Sequence, residues 1–162
     1  MACGPAPQVP PSEGSPAEEP ETAVAGVALP CVYAAVGAYG ELAEYDECAM
    51  RNVSSGRWTI RPEHLAAIDF TTSPAPLWID QQWYYILPSG LCAQVLTFDN
   101  GPDPFVEGLA RTRVRDRGGG GQIAFLDKRL TVVLDRDFDF AWPFEDGRAK
   151  VCRGCISRHG GE

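Results

Sequence analysis

Trp83–Thr112 reads WYYILPSGLCAQVLTFDNGPDPFVEGLART, and Ile123–Val151 reads IAFLDKRLTVVLDRDFDFAWPFEDGRAKV. Laid over one another, the two stretches match at Phe98-Asp99 with Phe138-Asp139, at Pro104-Phe105 with Pro143-Phe144, and at Gly108-x-Ala110 with Gly147-x-Ala149. Tyr85/Phe125, Ile86/Leu126, Glu107/Asp146 and Arg111/Lys150 are conservative pairs between them. The period is 40 residues before a one-residue gap near Pro102 and 39 after it. Phe70-Thr-Thr-Ser73-Pro74-Ala75-Pro-Leu77 is a third, weaker echo without the Gly. Self-similarity at this spacing marks a repeated supersecondary unit.

The content of each unit is β. WYYIL and QIAFL are short aromatic and β-branched strands. Pro88-Ser89-Gly90 is a turn, and Cys92–Thr97 returns as a strand. Gly118–Gly121 is a hairpin tip joining Leu109–Arg117 to Gln122–Asp127. One such unit cannot bury its own apolar face, so neighbouring units must stack. Trp83-x-Tyr85-Ile86, Gly90, Phe98-Asp99 and Phe105-Val106-Glu107-Gly108-Leu109-Ala110 resemble the WG-repeat pattern. Phe125-Leu126-Asp127, Phe138-Asp139 and Phe144-x-x-Gly147-x-Ala149 resemble it again. The Trp-Gly pair that names that family is absent, since Tyr84 follows Trp83 and the second unit opens Ile123-Ala124. The resemblance covers about residues 70–152 and implies architecture more than activity.

The sequence therefore predicts a mainly β chain in three parts. Residues 83–162 form a tandem β-hairpin repeat array. Residues 27–82 form a small α+β capping region with the degenerate half-repeat. There, Cys31–Val36 and Glu47–Val53 read as strands, and Glu63–Phe70 as a short helix behind Pro62. Residues 1–26 hold six prolines, four glutamates, no Lys or Arg and no aromatic residue. Such a stretch cannot bury enough apolar surface to offset its ordering entropy and reads as a disordered tail. Its opening, Ala2-Cys3-Gly4, resembles the mature end of a bacterial lipoprotein, which would make Cys3 a lipidation site and a membrane tether. The alternative is an ordinary disordered terminus with an incidental cysteine.

Charge narrows the partners. With 22 acidic against 14 basic residues, the net charge is −8, which argues against a nucleic acid or an anionic membrane surface. Gly 17 and Pro 14 favour turns and short strands over long helices. Of the six cysteines, Cys152 and Cys155 form a CxxC and Cys31 and Cys48 flank a hairpin. Both pairs are disulfide candidates in an oxidising compartment. A zinc reading of the CxxC finds only Cys152, Cys155 and His159 as ligands, and a redox reading lacks the helix that lowers a thiol pKa. Cys92 reads as a buried strand residue. Asp135-Arg-Asp137-Phe-Asp139 fails as a calcium loop, with Phe140 at its glycine position, and alternation puts its carboxylates on one strand face. Arg111, Arg113, Arg115 and Arg117 share one face of another strand, a basic ladder that could bind an anionic polymer but reads first as a solvated face partly neutralised by nearby carboxylates such as Asp135 and Asp137.

No catalytic motif and no cofactor motif stands out, and His64 and His159 are the only histidines. The resulting reading is a non-enzymatic WG-repeat scaffold of the bacterial cell envelope, in the periplasm or at the outer membrane, binding a protein or envelope partner. Two alternatives stay open. One is a thiol redox protein using Cys152 and Cys155. The other is a carbohydrate- or peptidoglycan-binding module using Trp78, Trp83, Tyr84 and Tyr85, although their alternation also suits a half-buried strand.

Overall fold

The computed structural model describes residues 26–115 and 121–155. The chain is mainly β, with several antiparallel sheets and, among the described residues, one short helix. The tail expected over residues 1–26, the hairpin tip at 118–121 but for Gly121, and His159 lie outside the described residues. Gly26 is an exception to the tail: it opens the first strand, opposite Asn52.

The first sheet has six strands. β1 (Gly26–Ala34), β2 (Leu42–Asn52), β3 (Trp58–Ile60), β4 (Ala75–Ile79), β5 (Gln82–Ile86) and β6 (Cys92–Gln94) lie in the order β3-β2-β1-β4-β5-β6. Every neighbouring pair is antiparallel. The ladder between β1 and β2 bulges between Leu29 and Cys31. Across that bulge the buried Cys31 and Cys48 are disulfide-bonded, with Cα atoms 5.9 Å apart. The sheet is continuous across residues 82 and 83, where the sequence divides cap from repeats, because β4 and β5 are the two arms of one hairpin.

α1 (Pro62–Ala67) is shorter than the expected Glu63–Phe70. Pro62 supplies its first turn, where a missing N–H costs nothing. It stops because Ile68 turns extended and bridges Ala35, while Asp69 N donates to the Ala34 carbonyl at 2.8 Å. Trp58, Tyr33, Leu77, Ile79 and Ile86 fill the core between this segment and the sheet.

Downstream, β7 (Thr97–Phe98) and β8 (Gly101–Pro102) form a minimal hairpin. A three-stranded meander comes next, of β9 (Leu109–Arg115), β10 (Gly121–Asp127) and β11 (Val132–Phe138), in the order β11-β10-β9. β12 (Phe140–Glu145) and β13 (Arg148–Cys152) make the last hairpin. No helix lies in residues 83–152 among those described.

Two pieces of backbone geometry occur twice. Leu87 N donates to the Leu91 carbonyl at 2.8 Å and Gly90 N to the Leu87 carbonyl at 2.8 Å. Forty positions on, Asp127 N donates to Thr131 at 2.9 Å and Leu130 N to Asp127 at 2.9 Å, with Gly90 and Leu130 both left-handed, at φ 81 and 62. The second piece is a two-residue turn with both φ positive, at Glu107-Gly108 (52, 82) and at Asp146-Gly147 (50, 73). This is the primed geometry whose twist matches that of its strands. Phe98-Asp99 and Phe138-Asp139 do not share a backbone. Asp99 is the left-handed first residue of the β7–β8 turn, whereas Asp139 is a bend between β11, which pairs with β10, and β12, which pairs with β13.

Candidate functional site

β5 is covered on both sides. Tyr84 meets Trp58 edge-on at 5.0 Å on one face, and on the other Tyr85 packs on Phe105 at 4.7 Å. Trp83, Tyr84 and Tyr85 are all buried, and half-buried Trp78 meets Trp83 at 5.2 Å. This run is therefore core and offers no open platform for a sugar. Phe125 repeats the Tyr85 arrangement, meeting Phe144 at 5.0 Å. Phe105 and Phe144 are each half-buried, while Ala110 is fully buried and Ala149 half-buried. Phe138 is half-buried under Arg153, whose Cζ lies 5.4 Å from the ring centroid. Phe98, expected to match it, is 49% exposed because its hairpin is only two residues deep.

Three of the exposed aromatic rings, Phe98, Phe140 and Trp142, gather elsewhere. A cleft of about 590 Å³ opens between the segment leading from β6 into β7 and the strand β12. Gln82, Gln94, Phe98, Phe140, Trp142 and Pro143 are among its lining residues. Phe140 and Trp142 are 44% and 43% exposed and meet edge-on at 4.5 Å. Lys150 Nζ lies 5.0 Å from the Trp142 centroid, close enough for cation–π attraction. Gln94 Nε2 donates to Gln82 Oε1 at 2.7 Å. The volume lies within the range of small-ligand sites.

Arg111 and Arg113 from β9 also line the cleft. The two differ in kind, which corrects the solvated arginine face read from alternation. Arg111 is buried and bonded to Asp103, itself 1% exposed. Arg111 Nε donates to both carboxylate oxygens of Asp103, at 3.0 and 3.1 Å, and Nη2 donates to Oδ1. The Arg111 backbone N donates to Oδ2 at 2.6 Å, and Nη1 to the Ala141 carbonyl at 2.9 Å. Tyr85 Oη donates to the Asp103 carbonyl at 3.1 Å. Burial first, and then the Asp103 charge, push the Tyr85 pKa up to about 12. Arg113 is exposed, and its Nη1 donates to the Gly121 carbonyl at 3.2 Å.

Cys152 ends β13, and Cys152 and Cys155 are disulfide-bonded around the Arg153-Gly154 turn, with Cα atoms 5.9 Å apart. The Asp139 carboxylate accepts the Gly154 N–H, and Asp139 N donates to the Cys152 carbonyl at 3.0 Å. No helix begins at Cys152 among the described residues. Nor do the described residues hold a group of three or more His, Cys, Asp or Glu placed to bind a metal ion. Cys92 is buried at the start of β6, and Cys3 lies outside the described residues.

Comparison of the chain with protein families, with curated proteins and with solved structures finds no match. The sequence reading missed Asp103, the buried role of Arg111, and the cleft aromatics Phe140 and Trp142. The i, i+2 spacing of Phe140 and Trp142, which puts both on one strand face, is the signal that could have found the last pair.

Proposed function

We propose that the chain is a non-enzymatic β-hairpin scaffold of WG-repeat type, capped by its first strands and α1, and that it binds a cell-envelope partner through the aromatic cleft. The observation that carries the repeat is the recurrence of backbone geometry at the sequence period. The turn at Leu87–Leu91 returns at Asp127–Thr131, and Glu107-Gly108 returns at Asp146-Gly147. Register supports it too, since Ala75 opposes Ile86 and Ala110 opposes Leu126. The turns of successive units also touch: Gly147 N donates to both oxygens of the Glu107 carboxylate, at 3.0 and 3.2 Å. A buried Cys31–Cys48 disulfide suits an oxidising compartment, as the envelope reading needs.

Three large rings left exposed on one cleft are what support binding there, because such a patch on a soluble domain marks an interaction site. The test is retention on an immobilised cell-envelope fraction. The wild-type chain should be retained and the double variant F140A/W142A should pass through, at unchanged melting temperature. Equal retention of both would remove the cleft from the function.

A further inference from the structure

We infer that the cleft between β6–β7 and β12 is a subsite for an acidic oligosaccharide, a glycan carrying carboxylate groups. The inference rests on the binding role proposed above and adds the chemistry of what is bound.

Charge is the first argument. The whole chain carries −8, yet among the described residues no acidic side chain lines the cleft while Arg111 and Arg113 do. Arg111 is neutralised by Asp103. Arg113 is exposed, and among the described residues its guanidinium bonds a backbone carbonyl and no carboxylate. Lys150 adds a second cation at the Trp142 ring. An anionic ligand is thus drawn to this place on an otherwise acidic surface.

The polar groups argue for hydroxyls. Gln94 Nε2 is bonded to Gln82 Oε1. That leaves the Gln82 amide N–H groups and the Gln94 amide oxygen side by side, a donor next to an acceptor. Neighbouring sugar hydroxyls, each able to give and accept, match that pair. Trp142 and Phe140 supply flat apolar surface for the C–H face of a sugar ring.

The backbone argues against a peptide. An extended peptide binds by adding to unpaired strand groups. Here Val95 N is bonded to the Trp83 carbonyl at 3.0 Å, Leu96 N to the Arg111 carbonyl at 3.1 Å, and the Gln94 carbonyl accepts Thr112 Oγ1 at 2.6 Å. These three backbone groups of the wall between β6 and β7 are already used.

The experiment is a titration calorimetry series at low salt with three probes: trigalacturonate, neutral maltotriose, and an acetylated triglutamate peptide. Trigalacturonate should bind. W142A should weaken it about tenfold and R113Q about fivefold, with added salt weakening the wild type as well. Both side chains are exposed, so melting temperatures should not move; Q94A serves in place of any variant that fails to fold. Equal binding of maltotriose would overturn the acidic requirement, and preferred binding of triglutamate would overturn the glycan. Absence of trigalacturonate binding, with envelope retention still lost in F140A/W142A, would overturn this inference alone. Retention indifferent to those rings would overturn the binding role of the cleft on which this inference rests.

Discussion

Replacing Asp103 with Ala removes the acceptor of four bonds from Arg111, three from the guanidinium nitrogens and one from the backbone N–H. The guanidinium keeps the bond from Nη1 to the Ala141 carbonyl. It cannot reach water without moving, because the Arg111 side chain is 8% exposed and Asp103 1%. Breaking a buried pair from one side leaves an uncompensated charge, which costs about 3–5 kcal/mol. R111M should cost a similar amount, now by stranding the carboxylate. The two single losses would sum to about 8 kcal/mol if independent, close to the whole stability of a small domain. The double variant D103A/R111M removes both charges together. It leaves the backbone N–H at position 111 and the Ala141 carbonyl short of partners, a loss of about 2–4 kcal/mol at one to two unsatisfied groups. The cycle should therefore show coupling of at least about 2 kcal/mol. Urea unfolding monitored by tryptophan fluorescence measures all four corners. Additive losses would refute the claim that this pair acts as one buried unit.

The geometry sets three further outcomes. Tyr85 is neutral in the fold and its pKa is raised from 10.0 to about 12, so its contribution is complete below pH 10 and is lost as pH rises towards 12; Y85F should remove the latest phenolate step in an ultraviolet titration and cost about 1 kcal/mol through the orphaned Asp103 carbonyl. G108A and G147A place a Cβ at φ 82 and 73 with nothing within 4 Å, so each should lose only backbone strain, about 1–2 kcal/mol, and by chemical denaturation the two losses should agree; a large difference would separate the two turns. Reducing Cys31–Cys48, closed over a sequence separation of 17, should lower stability by about 3 kcal/mol in a comparison with C31S/C48S under oxidising and reducing conditions.

The parts of the fold legible in the sequence are those with a local cause. Pro88-Ser89-Gly90 announces its turn because Gly90 takes a positive φ, and Gly108 and Gly147 do so for the same reason. WYYIL and QIAFL are strands because their aromatic and β-branched residues suit a pleated sheet covered on both faces. The sequence could not show the bulges. Between Ile123 and Ala124 the β10–β11 register shifts, and Asp139 lies beyond the end of β11. Nor could it show that Arg111 turns inward. Its partner Asp103 is eight residues back, around the Glu107-Gly108 turn, and no helix or strand period joins the two. Phe98 misled for a related reason. It matches Phe138 by identity, but its neighbours form a separate two-residue hairpin instead of a continuing strand.

Arg111 and Lys150 occupy the same position of the proposed repeat, yet one is buried and the other exposed. The difference lies in the strand that comes after each. The β12 strand crosses beside β9, so that the Ala141 carbonyl meets Arg111 Nη1 and closes over it. Among the described residues no later strand crosses β13 in that way, and Lys150 lies instead against Trp142. Ala110 and Ala149 differ in the same sense, fully buried against half-buried. Burial at these aligned positions thus follows the strand that packs beside each rather than the residue itself. The same rule accounts for the cleft. It opens beside Arg113, where β12 is tied to β9 by the Arg111 side chain and not by a ladder of backbone bonds. A junction held by Arg111 can leave a gap beside it; a continuous sheet could not.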